Sequence, residues 1–120
     1  MGEIHELGKQ GESIASDYLV SKGFKIIETN WHAGNYELDI IAERENLIVV
    51  AEVKTRSSTV FGEPEVFVNK TKQKCIIRAA NLYITNKDID KEVRFDIITV
   101  VVKGTGTVVN HIEDAFYATL

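Results

Sequence analysis

Cysteine, proline, methionine and tryptophan each occur once in this 120-residue chain, and each scarcity narrows what it can be. A lone Cys75 excludes an internal disulfide and any cysteine-rich zinc site. The three histidines, His5, His32 and His111, are scattered without a ligand spacing and read as surface or packing residues. No apolar run approaches the length of a membrane span, and the amino terminus, MGEIHELGKQGE, lacks the apolar core of a signal peptide, so a cytoplasmic protein is expected. Repeats, low-complexity tracts and linkers are also missing. What remains is a chain with 44% hydrophobic residues, enough for one globular domain over residues 1–120 with a sizeable core.

The apolar periodicities give an order of elements. Gly8 to Lys22 reads as a helix with Ile14, Ala15, Tyr18 and Leu19 as its apolar stripe, ended by Gly23. Phe24 to Trp31 reads as a strand, followed by a His-Ala-Gly-Asn turn. Two apolar runs, Tyr36 to Ala42 and Leu47 to Lys54, flank the polar stretch Glu43-Arg44-Glu45-Asn46 and predict a hairpin. A loop over 55–68 contains the only proline. A second helix follows from about Asn69, its cap, to Thr85, with Ile76, Ala80, Tyr83 and Ile84 facing the sheet. Val93 to Lys103 is another strand, and Gly104-Thr105-Gly106 leads to a short final one. The expected architecture is α/β, in the order α-β-β-β-α-β-β.

The hairpin carries the chemistry. A turn centred between Glu45 and Asn46 pairs residues whose numbers sum to 91, which sets Asp39 opposite Glu52 and Glu37 opposite Lys54. Period-two alternation then puts all four on one face, roughly 5 Å apart across the pair. Glu37 and Lys54 alone would read as a solvated cross-strand pair. Asp39 is different: it stands inside Leu-Asp-Ile-Ile at mid-strand, where aspartate is disfavoured and no cap or turn explains it. Carboxylates set among Ile, Val and Ala call for a compensating cation or hydrogen-bond donor, and a divalent metal is the economical explanation.

Charge is unevenly distributed behind the net value of −4. Residues 1–52 hold four basic and ten acidic groups, 53–78 six and two, and 79–120 four and six. The basic middle runs from the hairpin into the second helix, where Lys70, Lys74 and Arg78 repeat along one side. Such a stripe beside a carboxylate cluster suits a polyanion whose neighbouring phosphates it would hold; a solvated helix face is the plainer alternative. Glu12, in the first turn of the first helix, borders that helix's apolar stripe. It either reaches toward the sheet or simply answers the helix dipole.

A helix glutamate, a strand Asp, a Glu-x-Lys ending the next strand and then a basic helix resemble the PD-(D/E)xK nucleases with a restriction-endonuclease-like fold. Gly11-Glu12, Glu37-Leu38-Asp39-Ile40-Ile41, Glu52-Val53-Lys54-Thr55-Arg56, Ala80 to Tyr83 and Arg94-Phe95-Asp96 are, more narrowly, similar to the small bacterial YraN family. That family is described as endonuclease-related, with archaeal Holliday-junction resolvases as distant relatives. The resemblance spans the chain, and five motifs in this order are a specific signal. One position departs from the pattern: Tyr36 stands where the family usually has glycine.

The resemblance implies a mixed central sheet flanked by helices and a metal-dependent nuclease acting on DNA, including branched or recombination intermediates. A non-cleaving nucleic-acid-binding module on the same fold is the alternative. Asp39 and Glu52 would hold Mg²⁺ or Mn²⁺ with the carbonyl of Val53, and Glu37 as an extra ligand. Lys54 would serve the attacking water or the scissile phosphate, and Glu12 would support the cluster. Thr55, Arg56, Lys70, Lys74 and Arg78 would contact phosphates. Asp96 either backs the site or pairs with Arg94. A resolvase-type role would need a homodimer, with Val60, Phe61, Val66 and Phe67 in loop 55–68 as a contact or a substrate gate.

Overall fold

The computed structural model describes residues 2–57, 68–104 and 106–117, with side chains from residue 6 onward. Helix α1 (Gly2–Ser21) is followed by strands β1 (Lys25–Ala33), β2 (Tyr36–Arg44) and β3 (Leu47–Ser57), helix α2 (Lys70–Asn86), and strands β4 (Glu92–Lys103) and β5 (Gly106–Phe116). The strands form one sheet in sequential order. All neighbours are antiparallel except β3 and β4, which run parallel from Leu47↔Glu92 to Ser57↔Val102 because α2 lies in the crossover between them. The α/β class and element order are those that the periodicities predict, and the mixed sheet flanked by helices is the one that the resemblance implies.

Each helix covers one face. Ala15 and Leu19 of α1 pack with Phe24, Ile40, Ala42, Val49, Ala51, Ile98 and Val100. Ile76, Ala79, Ala80 and Tyr83 of α2 pack with Leu38, Ile41, Ile48, Val50, Phe95 and Ile97 on the other side. Neighbouring residues of β3 and β4 thus fall in opposite clusters, as expected for strands buried on both faces. Gly23, at φ 92°, takes the left-handed conformation that ends α1. Asn69 caps α2 by accepting the Lys72 N–H at 2.8 Å. Among the described residues, no helix is long and apolar enough to cross a membrane.

Three boundaries differ from the sequence reading. Helix α1 begins at Gly2 instead of Gly8, because Glu3, Glu6, Leu7 and Lys9 are good helix formers and one interior glycine costs too little to stop it. Strand β3 continues through Thr55 to Ser57, paired with Val100 to Val102, so the segment expected to begin the loop is ladder. Strand β5 has 11 residues and is not short. Val60, Phe61, Val66 and Phe67 lie outside the described residues.

The approach of α1 to β3 requires a missing side chain. A Cβ on buried Gly11 would come within 2.7 and 2.8 Å of Thr55 Cγ2 and Cβ, whereas one on Gly8, a turn earlier, would meet nothing within 4 Å. Gly11→Ala is therefore expected to lower stability by about 1–3 kcal/mol through overpacking. Gly8→Ala should raise it by roughly 0.5–1 kcal/mol through helix propensity. Urea unfolding of the pair checks both signs, and equal effects would contradict the packing described.

Candidate functional site

The hairpin register is the expected one: Arg44↔Leu47, Glu43↔Ile48, Ala42↔Val49, Ile41↔Val50 and Ile40↔Ala51 all sum to 91. Glu45, at φ 56°, makes the turn. Past Ile40 the regularity breaks. Leu38 and Ile41 both pack on the α2 side, while Ile40 packs on the α1 side, so alternation slips by one residue around Asp39. There the Asp39 carboxylate does what backbone does elsewhere, accepting the Val53 N–H through Oδ2 at 2.9 Å. Amide directions alternate along a strand, and that of Val53 points toward β2, like that of Ala51. An aspartate at this position thus satisfies the sheet where β2 stops supplying ladder bonds.

Glu52 lies beside Asp39 with only 7% of its surface exposed. Lys72 Nζ of α2 stands 3.8 Å from its Oε1. Burial, and next the negative charge of Asp39, push the Glu52 carboxyl up to about 7, against the pull of Lys72 and Lys54. The Asp39 carboxyl is also raised, mainly by burial, although the Val53 amide opposes the shift. Two carboxylates this close and this dry cannot both ionise freely, so each holds its proton more tightly than an isolated carboxyl would.

Around them is an open cavity of about 290 Å³ lined by Leu7, Gly8, Glu12, Asp39, Glu52, Val53 and Thr55. Helix α1 thus brings Glu12 to the carboxylate pair. Lys54 is half-buried and acts on Glu52 through its charge. Glu37 lies apart: it is exposed, 3.8 Å from His32 Nε2, and affects Asp39 only coulombically. Thr55 packs against Gly11, and Arg56 is exposed near the end of β3. Lys70, Lys74 and Arg78 are exposed along α2. A second cavity of the same volume, between α2 and the ends of β4 and β5, is largely apolar, with Asp114 as its one charged wall.

Lys72 is the cation that the stripe of Lys70, Lys74 and Arg78 obscured. It precedes Ile76, Ala80 and Tyr83 at i, i+4, i+8 and i+11, so it stands on the apolar face of α2. A lysine on a buried stripe was the available signal.

Asp96 belongs to another cluster. Fully buried, it accepts Arg94 Nε and Nη2 at 2.9 Å each, His111 Nε2 at 2.6 Å and the Asp114 N–H at 3.0 Å. With the proton on Nε2, His111 Nδ1 accepts from the Tyr18 hydroxyl at 3.0 Å, tying α1 to β5. Burial pushes the Asp96 carboxyl up, but His111, Arg94 and the Asp114 amide outweigh it and hold the group below the usual range. Asp96 is thus the buried partner of Arg94.

The description "Uncharacterised protein family UPF0102" fits residues 11–100 of the chain, a span that holds Glu12, Asp39, Glu52, Lys54 and Arg94 to Asp96. The chain belongs to UPF0102. It is 46% identical to the UPF0102 protein FP2501 of Flavobacterium psychrophilum over 117 residues, covering 98% of each chain. Its identity to a UPF0102 protein of Parabacteroides distasonis is 48% over 118 residues, again 98% of each. With the UPF0102 protein THEYE_A1950 of Thermodesulfovibrio yellowstonii it shares 46% over 112 residues, 93% of this chain and 96% of that one. UPF0102 membership agrees with the YraN-like order of the motifs.

Proposed function

We propose that this UPF0102 protein is a Mg²⁺- or Mn²⁺-dependent nuclease of the PD-(D/E)xK type that hydrolyses phosphodiester bonds of DNA. One observation carries the reading: Asp39 and Glu52 are kept side by side and largely dry on adjacent strands, an arrangement that raises both carboxyls and that a divalent cation would relieve.

The donors suit a hard cation. Among the described residues, no three His, Cys, Asp or Glu side chains converge into a cage. Mg²⁺ seldom needs one, since it is commonly held by one or two carboxylates with water and substrate phosphate completing its shell. Asp39 and Glu52 would hold it, with Glu12 on the cavity wall as an outer support. The Val53 carbonyl is a further donor, because in an extended strand it points to the same side as its amide, toward Asp39. When bound, the ion supplies Lewis-acid stabilisation of charge on the phosphate.

The remaining steps fall to the chain. Lys54 offers positive charge beside the carboxylates, to orient the attacking water or offset charge at the scissile phosphate. Lys72 partly neutralises Glu52 and fixes its direction. Exposed Lys70, Lys74 and Arg78 hold flanking phosphates without touching the reacting atoms. Branched DNA and a dimeric working state extend the same reading by family likeness alone.

Calorimetric titration of Mn²⁺ and Mg²⁺ into the wild type and Asp39→Asn, with cleavage of single-stranded, duplex and four-way DNA on the same samples, tests it. Cation binding and cation-dependent cutting that both vanish in the variant are expected. No cation binding by the folded wild type would end the catalytic reading and leave a non-cleaving nucleic-acid binder.

A further inference from the structure

Helix α2 has four cations and no acidic residue in 17 positions, within a chain of net charge −4. Lys72 is answered by Glu52. Lys70, Lys74 and Arg78 meet no carboxylate among the described residues, unlike Lys91, which pairs with Glu43, and Arg94, which pairs with Asp96. Thr71, Lys74, Cys75 and Arg78 follow the i, i+3, i+4, i+7 spacing of one helical face, and that face turns to Tyr36. Together the five residues line an open cavity of about 190 Å³. Whole small-molecule ligands usually occupy about 300–1,000 Å³, so this space suits a fragment the size of one ring or one phosphate.

Its chemistry is mixed in an informative way. Tyr36 rests partly on the α2-side core, which holds the ring as one wall, and its hydroxyl accepts from Arg78 Nη1 at 3.3 Å. The opposite wall carries an ammonium and a guanidinium. An aromatic surface beside exposed cations that meet no carboxylate among the described residues matches the stacking platform and backbone groove of single-strand binders. Tyr36 is three residues from Asp39 on β2, a backbone spacing of roughly 10 Å.

We infer that the cavity between Tyr36 and the Thr71–Arg78 face of α2 is a subsite for one unpaired nucleotide, its base stacked on Tyr36 and its phosphate held by Lys74 and Arg78. The inference rests on the nuclease reading for its substrate class and deepens it: the strand engaged beside the carboxylates is single-stranded there, as in an overhang, a flap or the opened arm of a branch. A duplex, with its bases stacked inward, does not fill the subsite.

Fluorescence anisotropy of a short fluorescein-labelled oligothymidine, and of the same strand in a duplex, tests the assignment with chelator present, so that binding is read without cleavage. The wild type should prefer the single strand. Tyr36→Ala should weaken single-strand binding about ten-fold, the scale of one lost base stack. It should leave duplex binding nearly unchanged at a temperature where its own melting curve shows the variant folded, whereas Tyr36→Phe keeps the ring and the preference. Lys74→Ala should weaken both DNAs and lower the salt slope by about one ion. Single-strand binding that is equal in the wild type and Tyr36→Ala, or lost equally in Tyr36→Ala and Tyr36→Phe, overturns the subsite. Failure of the nuclease reading shows elsewhere, as missing cation binding by the wild type.

Discussion

Without divalent cation, at about pH 8, Asp39→Asn and Glu52→Gln should each melt higher than the wild type while being unable to cut DNA. The sign follows from the raised carboxyls. Glu52 titrates near 4.5 in the unfolded chain and near 7 in the folded one, so the folded protein holds its proton more tightly. Its contribution to stability is complete below the unfolded value and is lost as pH rises through about 7. An amide at either position removes the conflict without removing shape. The asparagine amide oxygen would still accept the Val53 N–H, and the glutamine side chain would mimic a protonated glutamate. For Glu52→Gln the gain should be roughly 2 kcal/mol, or several degrees in melting temperature, and should shrink toward zero near pH 5; for Asp39→Asn the sign is the same. Calorimetric melts at the two pH values, with a cleavage assay, check this. Variants that melt lower than the wild type at high pH would mark the pair as structural.

The opposite outcome is expected for Asp96. It is more deeply buried than either site carboxylate, yet its charge is matched by Arg94, His111 and the Asp114 amide. Asp96→Ala leaves a guanidinium that is 19% exposed with the more distant Glu113, 3.8 Å from Nη1, and an imidazole that is 7% exposed without its acceptor. Breaking such a buried pair costs about 3–5 kcal/mol, which for a chain of this size lowers the melting temperature by roughly 10–20 °C. The depressed carboxyl adds a pH signature. Its contribution is present above the ordinary aspartate range and is lost as pH falls through the lowered value. Acid titration of unfolding free energy in the wild type and the variant checks both statements. A loss under about 1 kcal/mol would show that solvent, not Asp96, satisfies Arg94.

These opposite signs show what a sequence reveals and what it hides. Asp39 and Asp96 break strand propensity in the same way, and nothing local separates them. The hairpin register from Arg44↔Leu47 to Ile40↔Ala51 was legible because two apolar runs and a polar turn determine each other over a few residues, whereas Asp39 reaches Glu52 just past the point where that register ends. The capped start of α2 was legible for the same reason. The partners of Asp96 were not: His111 and Asp114 arrive from the neighbouring strand, 15 and 18 positions on, and Tyr18 from a helix 93 positions before His111. Lys72 was hidden by a more conspicuous stripe on the outer side of its own helix. The slip of alternation around Asp39 follows from how β2 leaves the ladder, which residue patterns do not encode.

The parallel pairing of β3 and β4 also governs when the site can exist. Every rung from Leu47↔Glu92 to Ser57↔Val102 joins positions 45 apart in the chain, whereas the β2–β3 hairpin closes over a few residues. Closing a long loop before its contacts reward it is slow, and ladders of high sequence separation place folding toward the millisecond-to-second range. Asp39 and Glu52 therefore meet early on a wet hairpin, where both ionise freely. Their water is lost when β4 and the two helices dock against the hairpin. During synthesis β4 leaves the ribosome after three-quarters of the chain, so the pair acquires its raised carboxyls, and with them its demand for a compensating charge, as one of the last events of folding.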